Sequence, residues 1–255
     1  MQLVQIAQQP ATLEGKSLVL PAVSVGNVGQ LALDLLINTA AAPCTGRLQT
    51  TCLLPCIGRG AYDHQPAESL ATPLELYIPK VGSVAYLQQR SPAALGQQAV
   101  FAKQLAEQLQ KLRPEEVVVL ASLDAAGRFD HQLSQPPVSF RSSSPELSQR
   151  CQALDIPELQ AAPASEPAYE DRLLPPWPLM QVCSEKEIPV TTLFTFCSEG
   201  DNAPHGVLLA NAVHKLLARS GGDQSAEQPS TESCVPHWQP PHAWQQLYGP
   251  VQPAF

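Results

Sequence analysis

The sequence predicts a single α/β domain of three layers (α/β/α), in which helices cover both faces of a mostly parallel sheet and proline-rich segments make the connections. The clearest sign is Val117–Ala121, five consecutive apolar residues. Such a run is typical of a strand that is covered on both faces of a parallel sheet. Strand and helix patterns also alternate along the chain, as in α/β domains. The 26 prolines among 255 residues indicate extended connections, because proline fixes φ and removes a donor.

The first elements predict a strand followed by a helix. Ser17–Leu20 is a short apolar strand, and Val28–Asn38 has apolar residues at helical spacing. Asn27 stands before this helix and suits its N-cap. Leu48–Leu54 then has the pattern of a second strand.

The middle of the chain predicts a strand pair and a long helix. Leu74–Pro79 and Val84–Gln88 are two strands that Lys80–Ser83 would join. Gln97–Arg113 places apolar side chains on one helical stripe, and Pro114 ends this helix.

The last elements complete the domain. Val117–Ala121 is predicted as a central strand, Val190–Phe196 as a strand rich in β-branched and aromatic residues, and Gly206–Ala218 as an amphipathic helix. We therefore expect one domain over residues 1–220, with a proline-rich insert at about 136–178. Residues 221–255 would form a C-terminal tail that docks on the domain or on a partner.

Composition argues against several kinds of partner. The net charge is −8 and the 15 Lys and Arg are scattered, so we expect no nucleic-acid partner. No stretch approaches the ~18 apolar residues of a membrane span, and the N-terminus lacks a signal-peptide pattern. Seven cysteines, an odd number, suit reduced thiols in the cytoplasm and nucleus. Cys52 and Cys56 have no matching second pair, so the sequence predicts neither a metal nor a cofactor.

Two stretches invite a chemical interpretation. Gly26 and Gly29 stand at a strand-to-helix corner, but a third glycine and the Lys-Ser/Thr of phosphate loops are absent. This turn therefore suits close packing of strand and helix. The loop Phe196–Gly206 gathers an acid, a base and a nucleophile after a predicted strand, where open α/β sheets bind ligands. The simpler interpretation is that Asp201 or Asn202 makes a turn and Pro204 starts a helix.

Three stretches, two of which overlap those just described, carry a resemblance. Leu18–Ile37, Phe196–Pro204 and Trp244–Phe255 resemble, in order and spacing, the proteasome assembly chaperone 2 family. The resemblance implies an α/β/α fold without an active site. It also implies a heterodimer with proteasome assembly chaperone 1, which gathers the α-subunits of the 20S proteasome into their ring and leaves the completed particle.

The resemblance also implies a role for the chain end. Tails of α-ring chaperones enter pockets between α-subunits with a hydrophobic–Tyr–any tripeptide, which makes Pro253, Ala254 and Phe255 the candidate partner-binding residues. The sequence departs from this pattern, since Ala254 stands where the family has tyrosine. The alternative is that the ending packs on the domain through its aromatic residues, among them Trp244 and Tyr248.

Three hypotheses follow. The leading one is a non-enzymatic assembly chaperone that exposes an apolar patch for its partner. The second is a nucleoside-processing or hydrolase-type enzyme that uses Glu199, Asp201 and His205, with Ser24 as a conceivable nucleophile of a Ser24/His205/Asp201 triad. The third is an adaptor whose segment Pro136–Pro178 is bound by proline-reading domains.

Overall fold

An eight-stranded mixed sheet forms the centre of the computed structural model, which describes residues 1–6, 12–161, 175–218 and 236–248. A separate pair of two-residue strands, β4 and β5, lies beside it. The strands are β1 Gln2–Gln5, β2 Ser17–Pro21, β3 Cys44–Gln49, β4 Gly58–Arg59, β5 Leu70–Ala71, β6 Leu74–Tyr77, β7 Val84–Gln89, β8 Glu116–Asp124, β9 Val138–Ser142 and β10 Val190–Cys197.

The sheet is parallel in its centre and antiparallel toward its edges. Its order is β1-β3-β6-β7-β2-β8-β10-β9. Strand β2 pairs in parallel with β7 and β8, and β8 with β10, whereas the pairs nearer both edges are antiparallel. Because β3 points the same way as β7, five of the eight strands share one direction. Strands β6 and β7 form the expected antiparallel pair.

Helices cover both faces of this sheet and complete the three layers. Helices α2 and α4 contact each other in one outer layer, and α1 and α5 contact each other in the opposite layer. The predicted fold class is therefore confirmed. The helices are α1 Val28–Thr39, α2 Gln98–Leu112, α3 Pro145–Gln152, α4 Trp177–Glu185, α5 Ala203–Ala218 and α6 Ala243–Tyr248.

Strand β8 explains why the sequence contains an uninterrupted apolar run. Side chains alternate between the two faces of a strand, and Val117 and Val119 pack in the core beneath α2 and α4. Val118 and Leu120 pack in the opposite core beneath α1 and α5. All four are fully buried, so apolar burial on both faces stabilises the strand at the centre of the sheet.

The second predicted strand is displaced toward the N-terminus. The strand is Cys44–Gln49 rather than Leu48–Leu54. The chain turns after Gln49, where the Thr50 hydroxyl accepts a hydrogen bond from the Cys52 amide at 3.1 Å. Leu53 and Leu54 then contact residues 92–93 of the loop after β7 instead of continuing the strand. Apolar pattern alone could not show that these residues leave the sheet.

The proline-rich insert contains regular structure that its composition did not predict. Strand β9 and helix α3 both lie within residues 136–178. Pro145 occupies the first turn of α3, a position that tolerates proline. The Ser144 hydroxyl caps this helix by accepting from the Leu147 amide at 3.5 Å. The stretch Ala162–Asp171 of this insert lies outside the described residues. Among the described helices, none is long and apolar enough to cross a membrane.

Candidate functional site

The glycine turn after β2 is tightly packed. Gly26 has φ +63° and Asn27 has φ +52°, so two left-handed residues in succession redirect the chain into α1. Asn27 occupies the predicted N-cap position, but its side chain makes no capping hydrogen bond. A Cβ on Gly26 would lie 2.2 Å from Asn202 Nδ2 and 3.3 Å from Cys197 Sγ. The turn is thus in direct contact with the loop after β10, and the structure brings both sequence-predicted stretches together.

Gly29 has an equally clear packing role at the start of α1. A Cβ there would lie 2.5 Å from the carbonyl oxygen of Leu120 and 3.1 Å from Pro21 Cβ. The helix therefore approaches strand β8 more closely than any side chain would allow. This contact supports the interpretation of the turn as a packed corner.

The loop after β10 is ordered by its own polar side chains. Asp201 Oδ1 accepts from the Ala203 amide at 3.0 Å, and α5 begins there with Pro204 in its first turn. Asn202, only 2% exposed, donates through Nδ2 to the Ser198 carbonyl at 2.8 Å. The simpler interpretation of this loop, a turn that starts a helix, is confirmed.

The conceivable triad is not assembled. Ser24 Oγ bonds to Ser122 Oγ at 2.9 Å and to the Ala22 carbonyl at 3.1 Å. Asp201 is exposed and caps its helix, and the buried Nδ1 of His205 has no hydrogen-bond partner. Nucleophilic catalysis needs a chain of hydrogen bonds from nucleophile to base, and none joins these three residues. Within the described ranges, no group of three or more His, Cys, Asp or Glu could hold a metal ion.

Apolar side chains are exposed nearby, in two loops at the same end of the sheet. Leu54, Ile57 and Leu95 are 47%, 73% and 96% exposed. Hydrogen bonds from Leu54 to Pro92 and from Ala94 to Cys52 join these loops. A cavity of about 160 Å³ opens beside them, lined largely by apolar residues of β2, α2, α4 and the loops around them. Exposed apolar groups of this kind are common where proteins meet partners.

A buried polar cluster lies on the α1 side of β6 and β7. Arg90 lies between two carboxylates, with Nη1 3.8 Å from Asp34 Oδ1 and Nε 3.5 Å from Glu75 Oε2. Its guanidinium lies 5.3 Å from the centre of the Tyr62 ring. Glu75 also accepts from the Tyr77 hydroxyl at 2.8 Å. Sequence reasoning missed this cluster, although its signal was visible: Glu75 lies within one predicted strand and Arg90 lies just after the next.

Protonated phenols hold part of this cluster together. Burial, with the nearby Asp34 carboxylate adding to it, raises the pKa of Tyr62 well above its ordinary value. The hydroxyl therefore stays protonated and donates to Asp34 Oδ1 at 2.8 Å. Gln88 donates to the same oxygen at 2.8 Å. Asp34 is thereby fixed as an acceptor at the surface of α1.

Residues 236–248, which we call the C-terminal segment, lie against this cluster. Trp244 is 6% exposed and its indole Nε1 donates to Asp34 Oδ2 at 3.3 Å. Trp238 Nε1 donates to Asn211 Oδ1 of α5 at 2.8 Å. His242 contacts Asp63 through its backbone amide at 3.0 Å and its ring Nδ1 at 2.7 Å. The segment therefore spans α1, α5 and the loop that carries Asp63.

Comparison with known proteins decides the family. Residues 18–200 match the model of the PAC2 family. The chain belongs to the PAC2 family. Curated relatives include proteasome assembly chaperone 2 of Danio rerio, 32% identical over 250 residues and 93% of each chain. The human protein of the same name is 27% identical over 258 residues, 96% of each chain.

Solved structures of PAC2-type proteins share the fold. Pyrococcus furiosus PbaA, an archaeal homolog of proteasome-assembly chaperone, has a TM-score of 0.61 and 17% identity, with 85% of each chain covered. PbaB of the same organism, an archaeal proteasome activator, has a TM-score of 0.63 and 11% identity over 85% of this chain and 88% of its own. Family membership also confirms the prediction that the chain is not an enzyme, since a proteasome assembly chaperone is non-enzymatic.

The structure does not describe the candidate partner-binding residues at the end of the chain. Pro253, Ala254 and Phe255 fall outside the described residues, as does most of the predicted tail. The described part of that tail is the C-terminal segment, which contacts the domain. The division at residue 220 therefore remains a prediction.

We expect the contact between Asp63 and His242 to weaken at low pH. Burial raises the pKa of Asp63, but hydrogen bonds from Asn38 and His242 outweigh it and leave the pKa below its ordinary value. A carboxyl with a lowered folded pKa contributes stability that is present above the unfolded pKa and lost as pH falls through the folded pKa. We expect the His242 amide to exchange more slowly in the wild type than in Asp63→Asn. This difference should shrink as the pH falls below about 4, the ordinary pKa of an aspartate, and be lost below the lowered folded pKa. Hydrogen exchange of both proteins at each pH measures it, and a difference independent of pH would contradict the assignment.

Proposed function

We propose that this chain promotes assembly of the 20S proteasome α-ring as a heterodimer with proteasome assembly chaperone 1. The observation that carries the proposal is similarity along the chain: relatives named proteasome assembly chaperone 2 align over 93% or more of it in Danio rerio and human. Proteasome α-subunits are then its second partner. Reduced thiols suit work in the cytoplasm and nucleus.

The described structure supports an interaction protein. Both stretches that could have supplied an active site are used for packing and helix capping. Exposed apolar side chains instead cluster at the loops that carry Leu54, Ile57 and Leu95. We expect chaperone 1 or α-subunits to cover such groups, since burying them removes apolar area from water.

The end of the tail is the proposed contact with α-subunits. Pro253, Ala254 and Phe255 would occupy a pocket between neighbouring α-subunits. Phe255 offers a large apolar ring for such a pocket, whereas Ala254 lacks the hydroxyl that tyrosine would provide. Binding would therefore depend on the apolar ring more than on a hydrogen bond.

Removing residues 252–255 tests this contact. We expect the truncated chain, co-expressed with chaperone 1, to form the heterodimer and to capture α-subunits at least tenfold more weakly. An aromatic anchor commonly contributes about 1.4–2 kcal/mol, which is a tenfold to thirtyfold change in affinity. Affinity capture followed by quantitative mass spectrometry measures the loss. Phe255→Leu, which keeps an apolar side chain, should lose less. Equal capture by the truncated and full chains would reject the tail as the contact.

A further inference from the structure

The cavity of about 160 Å³ lies at the carboxyl ends of two parallel strands, β2 and β7. Leu20 lines it from β2, and Ala93 from the loop after β7. Phe101 and Leu105 line it from the first two turns of α2, and Leu179 from the start of α4. Open α/β sheets bind their ligands at this edge, so the cavity has the position of a ligand site.

The lining shows which ligands the cavity can accept. None of the described residues that line it carries a charge, and its polar side chains are those of Gln89 and Gln98. The Gln89 amide nitrogen is already used, since it donates to the Ser91 carbonyl at 2.9 Å. A nucleotide or a sugar would lose its hydration on entry and gain few hydrogen bonds in return. The lining therefore favours an uncharged, apolar ligand.

The volume of the cavity matches one aromatic ring. In another protein, an apolar cavity of about 150 Å³ with leucine, isoleucine and phenylalanine walls binds benzene. Phe101 is buried and offers its own ring to a bound ring, a contact that adds to the gain from burial alone. A single ring therefore fits the cavity, whereas a bicyclic ligand exceeds it.

Proline makes much of the cavity wall rigid. Five of the lining residues are prolines, which come from the end of β2, the loop after β7 and the start of α4: Pro21, Pro92, Pro175, Pro176 and Pro178. Because proline fixes φ, the backbone around the cavity has few other conformations. A preformed site loses little conformational entropy when a ligand binds.

We infer that this cavity is a binding site for an uncharged ligand with a single aromatic ring. Binding is noncovalent and is driven by removal of the ring from water against Phe101, Leu105 and Leu179. For a ligand of six or seven heavy atoms, we expect a Kd on the order of 1 mM. The inference goes beyond the proposed function, which requires no small molecule.

Fluorine NMR of fluorobenzene tests the site on the full chain, kept soluble by an N-terminal fusion partner. The fluorobenzene signal should broaden and shift as the protein is added, with a Kd on the order of 1 mM. The probe 4-fluorobenzoate has the same ring with a carboxylate, and it should bind about tenfold more weakly or less, because no cation compensates its desolvation. The fusion partner alone, measured in parallel, should bind neither probe.

Two substitutions that fill the cavity locate the binding. Ala102→Leu places a larger apolar side chain in the cavity from α2, and Ala93→Leu does so from the loop after β7. Each should weaken fluorobenzene binding about tenfold, since the ring and the new side chain compete for the same space. Ala67→Leu is the matched control, because Ala67 is exposed in the loop before β5, and it should bind as the wild type does.

Circular dichroism of each variant shows whether it is folded, and Ala93→Leu decides the outcome if Ala102→Leu does not fold. Weaker binding by the cavity variants, with unchanged binding by Ala67→Leu, would support the site. Wild-type protein that binds no fluorobenzene, or that binds 4-fluorobenzoate equally well, would overturn it, as would unchanged binding by the folded cavity variants. Neither chaperone 1 nor α-subunits enter these measurements, so failure of this site leaves the proposed function to its own test.

Discussion

Replacing Arg90 with methionine should lower the free energy of unfolding by about 3–5 kcal/mol, the largest effect that we expect of a single substitution here. The reason is that the Arg90 guanidinium lies between two carboxylates. Glu75 is 1% exposed and Asp34 is 13% exposed, and both lie within 4 Å of the guanidinium. Without Arg90 these carboxylates would be buried with less compensating charge, which is far more costly than losing the packing of one side chain.

Urea unfolding of the two proteins, followed by far-UV circular dichroism, measures this effect. Arg59→Met is the matched control, because Arg59 is exposed on β4, and it should change stability by no more than about 0.5 kcal/mol. If Arg90→Met lowers the free energy of unfolding as little as the control does, the ion pairs of Arg90 with Asp34 and Glu75 do not hold the cluster together.

The second large effect is expected at Gly29. Alanine favours helices over glycine by about 1 kcal/mol, so Gly29→Ala would stabilise α1 if propensity alone mattered. The new methyl group would instead lie 2.5 Å from the Leu120 carbonyl oxygen of the central strand. Since a backbone atom cannot rotate away, α1 must shift, and we expect a net destabilisation of about 2–3 kcal/mol.

Gly58→Ala provides the comparison for this substitution. No atom lies within 4 Å of a Cβ at Gly58, and its φ is not positive. Thermal unfolding should therefore show nearly the wild-type melting temperature for Gly58→Ala and a clearly lower one for Gly29→Ala. Stabilisation by Gly29→Ala would mean that α1 and β8 are not in close contact, and the turn would then need another explanation.

The central elements could be predicted because their sequence patterns reflect local geometry. Val117–Ala121 is buried on both faces, and α2 carries its apolar stripe at helical spacing. The first helix begins at Val28, the predicted residue. In each case, burial repeats with the period of the element, so the pattern can be recognised without knowledge of the rest of the fold.

The buried polar cluster could not be predicted in the same way. Glu75 and Arg90 are charged residues within or directly after strands, and their burial depends on each other and on Asp34, which is distant in sequence. The attachment of the C-terminal segment has the same origin, since Asp63 and His242 meet only after folding. Such contacts join particular side chains that are far apart in sequence, so no periodic pattern predicts them.

The functional interpretation depended on different information from the fold. The glycine turn and the loop after β10 were chemically suggestive because they gather polar residues at strand ends. Their geometry shows packing at Gly26 and helix capping at Asp201. Three short stretches, taken together, indicated the family, and the match over residues 18–200 confirms it. Residue types can suggest a site, whereas their distances decide whether it exists.

The most direct test of the central claim is co-expression of this chain with proteasome assembly chaperone 1 and α-subunits from the same organism. Size-exclusion chromatography with light scattering then measures the mass of each complex. We predict a stable 1:1 heterodimer that carries α-subunits, and a chain that is poorly soluble when it is expressed alone. A monodisperse monomer that binds neither chaperone 1 nor α-subunits would contradict the account.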